Sequence, residues 1–62
     1  MPSANRTVKG IDVAFDWTFV LGVAHYEVTS PKAMQGKVIV GTNASNQDIV
    51  DAIVKDLKQR LP

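Results

Sequence analysis

The chain contains no cysteine and a single histidine, His25. Disulfides and thiolate metal sites are therefore excluded, and a zinc site of ordinary type, which takes several His or Cys ligands, has too few donors within one chain. Charge of one sign is also missing. Seven Lys and Arg against six Asp and Glu leave a formal net charge of +1, far from the strongly basic footprint of a dedicated nucleic-acid binder. Long apolar runs are absent too: the longest, Phe19 to Ala24, includes Gly22 and falls well short of a bilayer span. The opening Met1-Pro2-Ser3-Ala4-Asn5-Arg6 lacks the apolar core of a secretory signal, and a chain without Cys suits a reducing compartment, so the expected location is cytoplasmic. The sequons Asn5-Arg6-Thr7 and Asn43-Ala44-Ser45 read as chance in that setting.

Catalytic signatures are equally scarce. There is no Gly-x-Ser-x-Gly, and no Cys to act as nucleophile. Gly36 and Gly41-Thr42 share residues with a phosphate loop but not its spacing. The expectation is a non-enzyme with no catalytic residues, no metal and no cofactor. A chain of 62 residues makes one domain. At this size about 60% of the unfolded surface is buried, and one core seldom supplies more than about 3–5 kcal/mol. With disulfides and metal excluded, the supplement is a partner: a homodimer or another protein.

What is present begins with a helix. From Ser45 to Leu61, residues Ile49, Val50, Ile53, Val54, Leu57 and Leu61 fall on one stripe at helical spacing, while Asp48, Asp51, Lys55, Lys58 and Gln59 lie opposite. Ser45 is a good N-cap, and Asp48 three residues on can reach back in a capping-box manner. Acids lie early and bases late, which suits the helix dipole, and Asp51 to Lys55 and Asp56 to Arg60 are i,i+4 pairs. Pro62 follows where the helix would end anyway.

Ahead of the helix, residues 1–6 read as a flexible arm and residues 7–62 as a small α+β domain. From Ile11 to Val23 every odd position is apolar, which predicts strand with one face buried. The stretch from Thr7 to Thr29 is one long bent strand or, preferably, a hairpin of strands 7–15 and 18–29 that turns near Phe15-Asp16-Trp17. The parity changes after Gly22, where Tyr26 and Val28 become the large apolar residues; a bulge near Gly22 to Ala24, or a sheet covered on both faces, would account for it. Ser30-Pro31-Lys32-Ala33-Met34-Gln35-Gly36 reads as one helical turn, with a loop as the competing reading. Lys37 to Thr42 is a short strand whose β-branched run suggests a central position. The expected fold is a three-stranded antiparallel sheet followed by one C-terminal amphipathic helix.

Gly22-Val23-Ala24-His25-Tyr26, a strand histidine in a strands-then-helix order, resembles the small mRNA interferases of the HicA type. The resemblance implies a ribonuclease role for His25, but that family's first helix and Gly-Ser-His signature are missing here. Two function classes are carried forward. The first is a small protein-binding module, an accessory or inhibitory protein of a bacterium or its viruses, with Trp17, Phe19 and Tyr26 as interface residues. The second is weak nucleic-acid binding through a cluster of Arg6, Lys9, Lys32 and Lys37.

Overall fold

The computed structural model describes residues 2–61; Met1, the first residue of the expected arm, and Pro62, the expected stop, lie outside them. Four strands, not three, precede the helix: β1 (Ser3–Val8), β2 (Ile11–Val20), β3 (Val23–Ser30) and β4 (Met34–Ile39), then α1 (Asn46–Arg60). The sheet is an antiparallel meander in the order β1-β2-β3-β4. The added strand is β1, in the stretch expected to be an arm. Its small polar residues carry little hydrophobic signal, yet it pairs from Ser3↔Asp16 to Val8↔Ile11 and buries Val8 completely.

The long alternating run divides at Leu21-Gly22, not near Phe15-Asp16-Trp17. Phe15 and Trp17 are buried in the middle of β2. This ten-residue strand is supported by two staggered partners, since β1 pairs with residues 11–16 and β3 with residues 14–20. Both of the first two connections are two-residue loops with positive φ throughout: Lys9 and Gly10 at 53° and 77°, Leu21 and Gly22 at 50° and 80°. That is the type I′ geometry, whose twist matches antiparallel strands. The Leu21-Gly22 turn also explains the parity change. It pairs Val20 with Val23, so an even residue of β2 shares a face with an odd residue of β3. The bulge lies elsewhere, at Thr29: Phe15 pairs with Val28 and Ala14 with Ser30.

The expected helical turn at 30–36 does not form. Ser30-Pro31 is a cis peptide, and the chain turns back into β4, which takes in Met34, Gln35 and Gly36. β4 is an outer strand, not a central one, and Ile39 from its β-branched run is 86% exposed. Helix α1 forms as the spacing predicts. Ser45 Oγ accepts from the Asp48 amide at 3.2 Å and Asp48 Oδ2 accepts from the Ser45 amide at 3.1 Å, closing a capping box. Ile49, Val50, Ile53 and Leu57 are buried, with Val54 and Leu61 partly so. They pack on Val8, Val13, Phe15, Trp17, Ala24, Tyr26 and Val28 from one face of the sheet. Each large aliphatic or aromatic side chain so buried contributes about 1.5–3 kcal/mol before chain entropy is set against it.

Candidate docking face

With one face of the sheet under the helix, the alternation of β-strands delivers the intervening residues to the other face. The pairing register arranges them in rows across the strands. At the end near the Leu21-Gly22 turn lies an aliphatic row, Val20, Val23 and Ile39. Next comes Thr18, His25 and Lys37, then Ser3, Asp16, Glu27 and Gln35. Beyond these are Asn5, Ala14 and Ser30, and then Thr7 and Asp12. Glu27 accepts a hydrogen bond from Gln35 Nε2 at 3.0 Å, and Asp12 accepts one from Thr7 Oγ1 at 3.0 Å. Asp16 and Glu27 are direct cross-strand neighbours of like charge, an arrangement that costs stability.

The aliphatic row is the least expected feature of this face. Val20 is 53% exposed, and Leu21 beside it on the turn is 90% exposed. Leu21 also holds a left-handed backbone, which a β-carbon makes unfavourable by roughly 1–2 kcal/mol. The turn is fixed from behind: the Val40 and Gly41 amides both donate to Gly22 O, at 2.9 and 3.1 Å. Large apolar side chains are thus displayed on a braced hairpin tip at the end of a polar sheet face.

The aromatic residues singled out from the sequence go to the other side. Trp17 and Tyr26 are buried beneath α1, and Phe19 packs partly buried against the same core. Tyr26 reaches past its cross-strand partner Gly36, over which its ring lies so closely that a β-carbon there would come within 2.5 Å of the hydroxyl. Its hydroxyl donates to Asp56 Oδ2, and Arg60 Nε donates to the same oxygen at 2.9 Å. Burial, then the hydrogen bond and charge of Asp56, push the Tyr26 phenol up to about 12. This cluster ties α1 to the sheet.

The four basic residues are spread out. Arg6 is on β1, opposite Val13 and so on the helix side, with Nη1 donating to Asn5 O at 2.7 Å. Lys9 Nζ donates to Leu61 O at 2.9 Å, beside the helix C-terminus. Lys32 lies in the β3–β4 connection, and Lys37 is on the open face of β4. The outer strands β1 and β4 are separated by roughly 14 Å, three strand spacings. His25 is exposed between Thr18 and Lys37. Among the described residues no three His, Asp or Glu side chains gather to hold a metal ion, and no helix is long and apolar enough to cross a membrane.

No protein-family model matches the chain, and neither a curated protein nor a solved structure shows a significant likeness to it. The open face was partly legible in the sequence. Alternation placed Asp16 and Thr18 on the polar side, but finding the aliphatic row required knowing that the chain reverses at Leu21-Gly22. A Leu-Gly pair is a weak turn signal beside Asn-Gly or Asp-Gly.

Proposed function

We propose that the chain is a small, non-enzymatic, cytoplasmic protein-binding module that docks through the open face of its sheet. The observation that carries this reading is the aliphatic row Val20, Val23 and Ile39 continued by Leu21, displayed on a braced turn with a conformational cost at Leu21. Exposed apolar groups beside polar ones on a rigid surface are the usual make-up of a protein contact. The surface depressions bordering the sheet are open to solvent and differ from the enclosed, mostly apolar pockets that bind small molecules.

The test uses immobilised wild-type chain and the variants Ile39→Lys and Leu21→Asn, each first shown to melt cooperatively like the wild type. Partner protein retained by the wild type should be lost by roughly tenfold or more in affinity, at least 1.4 kcal/mol, in Ile39→Lys. Undiminished retention by both variants would take docking off this face.

A further inference from the structure

We propose that the occupant of the open face is a second copy of this chain, turned about a twofold axis that runs across the strands between the His25–Lys37 row and the Asp16–Glu27 row. The inference rests on the docking reading above and gives the partner.

The rows of the open face are complementary to one another. Successive rows on one face lie about 7 Å apart, two residues at about 3.4 Å each. A twofold axis midway between two rows lays each of them over the other, strand column by strand column. His25 of one copy then faces Glu27 of the other, and Lys37 faces Gln35 with Glu27 diagonal to it. In the adjoining rows, the large Val20 faces the small Ala14, and Val23 faces Ser30, while Ile39 lies beyond the end of the partner's β4, over its β3–β4 connection. Large side chains thus meet small ones, as interdigitating sheet faces require. By symmetry every contact is made twice.

The same rows reject the other simple packing. An axis along the strands would lay each row over itself and set the Asp16–Glu27 row against its own copy. The acidic pair also gains a reason. Asp16 and Glu27 face each other across β2 and β3, and among the described residues neither makes an ion pair. Lys37 and His25 likewise make none among the described residues. In the twofold pair Glu27 lies opposite His25 and diagonal to Lys37, Asp16 lies opposite Thr18 and diagonal to His25, and the aliphatic row is covered.

The experiment is a charge-swap complementation read by light scattering or sedimentation across a dilution series. Wild type should run at twice the 6.7 kDa chain mass at high micromolar concentration. Glu27→Lys, which sets Lys over the His25–Lys37 row, should run as a single chain, and so should the double variant His25→Glu, Lys37→Glu. All these positions are exposed, so both variants should melt like the wild-type monomer. An equimolar mixture should recover the dimer, one chain of each kind. Wild type that remains a single chain would overturn the proposal. If such a monomer still loses a different partner on Ile39→Lys, the docking reading stands and the second copy does not. Variants that stay dimeric would move self-association to a sheet edge, and a mixture that fails to re-form would rule out the row-over-row arrangement.

Discussion

At Leu21 a single residue carries two opposing demands. The type I′ turn asks for Asn, Asp or Gly, and the position holds a leucine at φ 50° that packs on almost nothing. Leu21→Asn should therefore stabilise the fold by about 1 kcal/mol, raising the melting temperature by roughly 4–8 °C, because it relieves backbone strain and removes little buried surface. Thermal melts of the two chains check it; a lower melting temperature would mean that Leu21 is packed in solution. Tyr26 carries a different demand. Its folded-state pKa, pushed up from 10.0 to about 12, favours the protonated phenol in the native state. Stability from this group is complete below about pH 10 and is lost as the pH rises toward about 12, since the unfolded chain releases the proton first. Tyr26→Phe should cost about 1–2 kcal/mol at neutral pH by removing the hydrogen bond to Asp56. It should also flatten the alkaline fall, so urea melts of both chains taken from neutral to alkaline pH should converge at the top of the range.

Among the elements, β4 and α1 meet through Tyr26, and the meeting depends on an absent side chain. Gly36 lies under the Tyr26 ring, where a β-carbon would come within 2.5–2.8 Å of ring and hydroxyl atoms. Gly36→Ala should push the ring aside, loosen its hydroxyl from Asp56 and cost about 1–3 kcal/mol, measurable as a lower urea midpoint. A wild-type midpoint would mean that the ring relaxes freely. In the helix, Ile53 is fully buried in an aliphatic stripe. Ile53→Asp should abolish the cooperative melt, because burying an unpaired charge costs more than the about 3–5 kcal/mol such a small core supplies, whereas Lys55→Ala on the exposed side should change stability by less than about 0.5 kcal/mol. The helix was legible because its stripe, its cap and its charge order agree with one another. The strands were legible as strands but not in their bounds. β1 has little apolar signal and is held by pairing, Ser30-Pro31 serves a helix start and a turn equally well, and Gly36 signals a helix stop unless the ring above it is known. By residue type alone the aromatics read as interface residues, while the aliphatic row is not legible in the sequence because its three members come from three strands.

For the whole molecule, the question is whether the sheet reads a nucleic acid or a protein. Affinity for a nucleic-acid backbone grows with the number of phosphates neutralised together, and each such contact releases counterions and steepens the salt dependence. Here Arg6 lies on the helix side of β1, Lys37 on the open side of β4, and Lys9 is engaged with Leu61 O. The centre of the open face is occupied by Asp16 and Glu27, which repel a phosphate chain laid across it. A formal net charge of +1 adds little long-range attraction. Binding to a DNA or RNA duplex should therefore be weak and insensitive to sequence, with a shallow dependence on salt corresponding to one or two phosphate contacts, and it should vanish near physiological ionic strength. Fluorescence anisotropy of a labelled oligonucleotide, titrated at several salt concentrations, measures both the affinity and the slope. Removing Lys32 and Lys37 together should change that weak binding only slightly, because the two lie on a loop and on an outer strand without further cations between them. Tight binding at physiological salt, lost in the Lys32→Ala, Lys37→Ala variant, would make nucleic acid the partner of this face and displace the protein-docking assignment.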